Sequence, residues 1–156
     1  MYTKVLSRAS DVTGVENWCK KILTKQSTGA DLIVGFFFSP EFIKKKVSDE
    51  NFVKAAYRSM FDREGDANGI KNWVAKLTKK YSRKEILAGF IASAEFTKLC
   101  GKYGIKRGSL LVGWITYEGK RCYVKSNGKR ASKEVLTISG KQYGFNSEGI
   151  KLNVPP

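Results

Sequence analysis

Residues 2–44 and 57–98 are two copies of one sequence unit. Tyr2, Arg8, Asp11, Gly14, Asn17 and Trp18 return as Tyr57, Arg63, Asp66, Gly69, Asn72 and Trp73, at a constant offset of 55. After a one-residue gap the offset is 54, and Gly35, Phe36, Ser39, Glu41, Phe42 and Lys44 return as Gly89, Phe90, Ser93, Glu95, Phe96 and Lys98. A duplication whose shared residues are glycines, helix caps and large aromatics constrains architecture before chemistry. Each copy has the same face to bury.

The duplicated part reads as helices with clear starts. Ser48 caps a helix to about Phe61, with Asp49 and Glu50 in its first turn, where the helix dipole favours acids. Phe52, Val53, Ala56, Tyr57, Met60 and Phe61 form its apolar stripe. Asp66 caps the next helix, which turns Ile70, Trp73, Val74 and Leu77 inward. Ser82 with Glu85 is a capping box, and Ser93 caps a short fourth helix through Phe96, Leu99 and Cys100. The first copy repeats these signals at Asp11, at Thr28 with Asp31, and at Ser39 with Pro40. It has no counterpart of the helix start in Ser48–Ala56. A helical glycine costs about 1 kcal/mol against alanine, so the recurrence of Gly35 and Gly89 points to close packing of another helix there.

Beyond Lys106-Arg107-Gly108 the pattern changes to short runs rich in Gly, Tyr, Val and Thr. A second repeat of period 21 appears, as Thr116, Gly119-Lys120, Ser126 and Gly128 return at Thr137, Gly140-Lys141, Ser147 and Gly149. Strands are predicted at Trp114–Tyr117, Arg121–Lys125, Val135–Ile138 and Gln142–Phe145, joined by turns at Glu118-Gly119 and Ser139-Gly140. The fold class is therefore α+β: a helical bundle of two repeated four-helix units (2–48 and 49–105, together the domain 1–108), then an antiparallel hairpin module over 109–156.

Charge and composition narrow the chemistry. Twenty-nine basic residues against fourteen acidic give +15, and sixteen of the basic ones lie from Lys79 on, against five acids. Such a field favours polyanions, whether nucleic acid, anionic wall polymers or acidic lipid surfaces, or simply keeps the surface solvated. There is no histidine, so no Ser-His-Asp or Cys-His nucleophile system and no histidine metal ligand can be built. Cys19, Cys100 and Cys122 lack C-x-x-C spacing. Cys19 and Cys100 fall on apolar helix faces, as small buried residues or, alternatively, as a disulfide. No apolar run nears the roughly 20 residues of a membrane span; the longest, Leu32–Phe38, is broken by Gly35. Met1 leads straight into helical pattern with no signal peptide, and we read the chain as cut from a longer one.

The sharper motifs have plain readings. Asp62, Glu64, Asp66 and Asn68 alternate like a calcium loop, but the sixth position is not glycine and the twelfth is Trp73. Turn and cap structure accounts for them, with Arg63 paired to a nearby carboxylate or to backbone. Trp18 and Trp73 read as core, and Glu41 and Glu95 as acids at helix N-termini. Lysines 44–46 and Lys79-Lys80 suit helix C-termini. In the tail, Lys120, Arg121, Lys125, Lys129 and Arg130 interleave with Trp114, Tyr117 and Tyr123, a mixture that suits single-stranded nucleic acid or anionic glycan.

The unit running from Tyr57-Arg58 through Arg63, Asp66, Gly69 and Trp73 to Ala88-Gly89-Phe90, Ser93 and Glu95-Phe96 resembles a bacterial domain of unknown function. That family occurs in tandem in secreted and surface proteins and is similar to the phycobilisome linker polypeptide domain. The resemblance covers roughly residues 2–108. It implies an all-helical fold and an extracellular or cell-surface setting, with a cytoplasmic one as the alternative, and it offers no catalytic residue. The tail, from Gly113-Trp114 through Tyr117, Gly119-Lys120 and Cys122-Tyr123 to Asn127-Gly128, resembles the cell-wall-binding hairpin repeats of choline- and glucan-binding surface proteins. There, aromatics cage a quaternary ammonium or stack on sugars; the resemblance implies such roles for Trp114, Tyr117, Tyr123 and Tyr143. Val135 stands where that pattern has tryptophan, Gly144 where it has tyrosine, and Cys122 at an aromatic position.

The expected function is non-catalytic: a scaffold and binding module, its tail contacting cell-wall polymer or glycan, possible contact with other surface proteins, no cofactor, no metal and no membrane insertion. The alternative is a nucleic-acid-binding protein using the basic hairpins. An enzyme is the third reading.

Overall fold

The computed structural model describes residues 1–79, 81–110, 113–117, 119–125 and 130–152, with backbone alone for Thr116 and Tyr117. Seven α-helices occur among them: α1 (Val12–Leu23), α2 (Gly29–Phe37), α3 (Pro40–Lys44), α4 (Asp49–Met60), α5 (Ala67–Thr78), α6 (Arg83–Ile91) and α7 (Ala94–Lys102). Two antiparallel hairpins follow, β1 (Gly113–Tyr117) with β2 (Lys120–Val124), and β3 (Glu134–Ile138) with β4 (Lys141–Phe145). The architecture is α+β and mainly helical, as expected. No helix among the described residues is long and apolar enough to cross a membrane.

The expected caps all form. Asp11 and Asp66 accept from the N–H groups of Gly14 and Gly69, Ser39 and Ser93 from those of Phe42 and Phe96, and Ser48 from that of Asn51. Thr28 with Asp31 and Ser82 with Glu85 close full capping boxes. Each satisfies helix N–H groups that have no partner within the helix.

At the recurring residues the two copies make matching contacts. Trp18 lies against Phe36 with ring centroids 6.0 Å apart, and Trp73 against Phe90 at 4.8 Å. A Cβ at Gly35 would sit 2.4 Å from the Trp18 ring, and one at Gly89 would sit 2.7 Å from Trp73. The glycines recur because each indole lies directly on the helix backbone. Gly14 and Gly69 recur because the hydroxyls of Tyr2 and Tyr57 occupy the place a side chain would take. Ser7 and Asp62, equivalent at the offset of 55, both turn the chain with left-handed φ, 54° and 55°. Arg8 grips Glu41 through two hydrogen bonds of 2.8 and 3.1 Å, and Arg63 grips Glu95 at 2.8 and 2.9 Å. Each guanidinium also donates to a neighbouring carbonyl, of Ala9 and of Glu64, and lies over the ring of Tyr2 or Tyr57.

The units share one hydrophobic cluster. Phe37 and Phe42 of the first pack edge-on or tilted against Phe52 of the second, and Gly29 opens α2 directly against Cys100 and Phe96 of α7. The chain after α7 crosses the start of α2, where Lys106 and Arg107 carbonyls accept from the N–H groups of Gly29 and Ala30.

Two expectations need correction. The first unit has three α-helices rather than four: in keeping with its missing helix start, a π-helical turn, Tyr2–Leu6, stands where the second unit has the end of α4. Cys19 is exposed and Cys100 buried, and both are free thiols, so the Cys19–Cys100 disulfide does not form. Cys19 lies on an exposed side of α1, whereas the Cys100 side chain is buried against the start of α2.

Candidate ligand-binding face of the hairpin module

The β1–β2 register places Trp114 directly opposite Tyr123, and the pleat puts both rings on one face with Arg121. The other face turns Cys122 and Val124 inward, where they are fully buried. Burial raises the pKa of the Cys122 thiol. On β4, Tyr143 and Phe145 share a face, two residues apart. The stretch after β4 ties the hairpins together: Ile150 bridges to Cys122, Lys151 bridges to Phe145, and the Lys151 N–H donates to the Arg121 carbonyl at 2.8 Å. A Lys125–Glu134 ion pair of 2.8 Å adds a second tie.

This arrangement gathers rings from both hairpins around one tryptophan. Trp114 meets Tyr123 at 5.3 Å with an interplanar angle of 75°, and Tyr143 at 4.8 Å and 79°. Phe145, tilted at 34°, lies 5.9 Å away. Edge-to-face pairs of this kind leave parts of the ring faces open, and those faces carry negative potential. Cations of the chain itself already take up some of that potential. The Arg121 guanidinium lies 4.8 Å over the Trp114 ring, and the Lys151 ammonium 5.5 Å from the Tyr143 centroid.

Of the residues singled out in the sequence, Trp114, Tyr123 and Tyr143 are thus brought together, with Arg121 beside them and exposed Lys120 at the β1–β2 turn. Tyr117 lies on β1, but its side chain falls outside the described residues, as does all of Lys129. Two expected polyanion contacts take other roles. Lys125 is half-buried and paired with Glu134, whose pKa this hydrogen bond, aided by the Ser132 N–H, holds below the usual carboxylate range. Arg130 is not on a basic surface. It is 8% exposed and forks onto Glu85 of α6 through two hydrogen bonds of 2.6 Å, lying over Tyr81 as well. Burial works against its charge, but the Glu85 hydrogen bonds and charge outweigh that and its pKa moves up. Arg130 therefore fastens the hairpins to the helices.

A family model described as "Domain of unknown function (DUF4214)" matches residues 1–46 and again residues 36–100. The chain belongs to that family. Nothing among curated proteins matches it. Among solved structures, the crystal structure of the choline binding domain of Spr1274 in Streptococcus pneumoniae is 29% identical, over 31% of this chain and 73% of that one, with a TM-score of 0.28. So low a score leaves the hairpin geometry to be judged by itself.

Within the DUF4214 part, the shared Arg8 and Arg63, Glu41 and Glu95, and the paired glycines and tryptophans form the matching contacts described above. In the hairpins, sequence reading missed Phe145 and Lys151. Phe145 was within reach, since strand alternation puts it on the face of Tyr143. Lys151 was not, because its place depends on a bridge made after the last strand.

Proposed function

We propose that this chain is a non-catalytic binding module of the cell surface, in which the DUF4214 units are the scaffold and the hairpins hold an anionic cell-wall polymer or glycan. The observation that carries this reading is the cluster of Trp114, Tyr123 and Tyr143 with Arg121 and Lys151 over its rings. Aromatic faces stack on sugar rings, and cations at their rim pair with phosphate or carboxylate. A quaternary ammonium is a poorer fit. It would have to displace Arg121 from Trp114 and sit beside two like charges, and such juxtaposition is repulsive. The residue departures at Val135 and Gly144 agree with that preference.

Binding of the full chain to a purified phosphate-bearing wall polymer, measured by calorimetry, tests the reading. Stacking on one ring is worth about 1–3 kcal/mol, so Trp114→Ala should weaken binding about tenfold or more. Arg121→Gln should weaken it less and flatten its salt dependence, and choline should not compete. Unchanged binding by Trp114→Ala, or displacement by choline, contradicts the proposal. Binding to single-stranded DNA that falls steeply with salt and survives Trp114→Ala would favour the nucleic-acid alternative, since counterion release needs no ring.

A further inference from the structure

A cleft of about 360 Å³ opens between the end of α1 and the end of α7. Ile22 and Ile105, both half-buried, form its apolar part, while Gly101 and Gly104 line it with bare backbone. Gly101 is the informative residue. At every other helical glycine (Gly14, Gly29, Gly35, Gly69 and Gly89) a ring, a hydroxyl or a thiol of the chain stands where a Cβ would go. A Cβ at Gly101 would meet nothing within 4 Å. A helical glycine costs about 1 kcal/mol against alanine, and no packing inside the chain accounts for this one. The missing side chain keeps the cleft open.

The rim of the cleft is basic. Lys25 and Lys106 line it, and Lys21 and Lys102, four residues before each, lie over the rings of Trp18 and Tyr103. Among the described residues no carboxylate pairs with any of these four lysines. Capping does not occupy the two lining lysines either. The last carbonyls of α1 accept from the N–H groups of Thr24, Lys25, Gln26 and Ser27, and those of α7 from Tyr103, Gly104 and Ile105. The same corner of the second copy is filled from within the chain. Tyr81 precedes the Ser82 cap as Ser27 precedes the Thr28 cap; it packs against the core and has the Arg130 guanidinium over its ring. Ser27 instead lines the open cleft.

We propose that this cleft is a docking site for an acidic peptide segment of a partner protein. The segment inserts one apolar side chain between Ile22 and Ile105, over Gly101, and sets carboxylates against Lys25 and Lys106. The charge of the rim selects an acidic partner, since like charges there would repel. The apolar recess selects a peptide over a nucleic acid or a sugar phosphate, which would answer the lysines but leave the isoleucines uncovered. The proposal does not depend on the hairpin reading, because none of the residues lining the cleft belongs to the hairpins.

The test uses a fluorescein-labelled peptide, Gly-Ser-Asp-Asp-Leu-Asp-Asp-Ser-Gly, titrated with the intact chain and followed by anisotropy. The peptide should bind, and exchanging its leucine for serine should weaken binding at least about tenfold, as expected for losing one buried aliphatic side chain. Gly101→Leu fills the cleft and replaces a poor helix former, so this variant should melt no lower than the parent and yet bind at least about tenfold more weakly. The exposed pair Lys25→Glu, Lys106→Glu should lose binding through charge instead of shape. Trp114→Ala should bind as the parent does, which separates this site from the hairpins. No binding at about 1 mM chain overturns the proposal, as does equal binding by Gly101→Leu. Equal binding of the serine peptide also overturns it, because charge alone would then account for the attraction. Loss of binding in Trp114→Ala would place the peptide on the hairpins and overturn it as well.

Discussion

Helices α1 and α5 begin with the same cap, carry the same Asn-Trp pair and lay that tryptophan on the same glycine, yet they are held very differently. α5 sends Ile70, Trp73, Val74 and Leu77 against the common core, whereas α1 contributes Trp18 alone. The difference teaches that the repeated residues fix the path of the chain inside a unit. How firmly a helix is held depends on the neighbour lying along it. The copies diverge again at their capping boxes. Asp31 is exposed and serves its own helix, while Glu85 is buried, caps α6 and also grips Arg130 of the hairpins.

The largest expected effect uses that last contrast. Removing one partner of a buried ion pair costs about 3–5 kcal/mol, so Glu85→Ala should lower the unfolding free energy by that much in urea denaturation. Asp31→Ala, which loses only a cap, should cost about 1 kcal/mol. Equal losses would mean that Arg130 does not fasten the tail. Next come the indoles. Truncating a packed tryptophan costs about 3–5 kcal/mol, a range that fits Trp73→Ala at its lower end, and Trp18→Ala should cost roughly half as much. Gly89→Ala forces a methyl into the Trp73 ring and should cost about 1–3 kcal/mol; Gly35→Ala should again cost less. A first-unit variant more damaging than its second-unit equivalent would break the comparison.

The smallest effect is one the copies should share. Hydrogen bonds from Arg8 and Arg63 hold the pKa values of Glu41 and Glu95 below the usual glutamate range. A depressed carboxyl pKa stabilises the fold fully above the unfolded value, and that contribution is lost as pH falls through the folded one. The melting temperature should therefore drop on acidification below the ordinary glutamate range. The double variant Glu41→Gln, Glu95→Gln should start lower and show a flatter profile. Both clamps are exposed, so the change is small; parallel profiles would show that the clamps add nothing.

Much of this fold was legible because the signals are local. Asp66, Ser82 and Ser93 announce helices through bonds made within three residues, and Gly89 with Trp73 announces close packing by recurring together. Periodicity tells which residues share a face but not whether anything meets that face, and for that reason Cys19 read as buried. Arg130 was misplaced for a related cause. A basic residue among other basic residues reads as surface, and only the fold brings Glu85, 45 positions away, within 2.6 Å. The aromatic cluster was partly legible, since a tryptophan and tyrosines in hairpins tend to share a face. Its cationic rim depended on how the hairpins meet.

Amide hydrogen exchange across the intact chain gives the most direct test of the central comparison. If the covering helix decides how firmly each copy is held, amides in the middle of α1 should exchange at least about tenfold faster than their equivalents in α5, while α2 and α6 stay comparably slow. Protection of α1 equal to or above that of α5 would contradict the account.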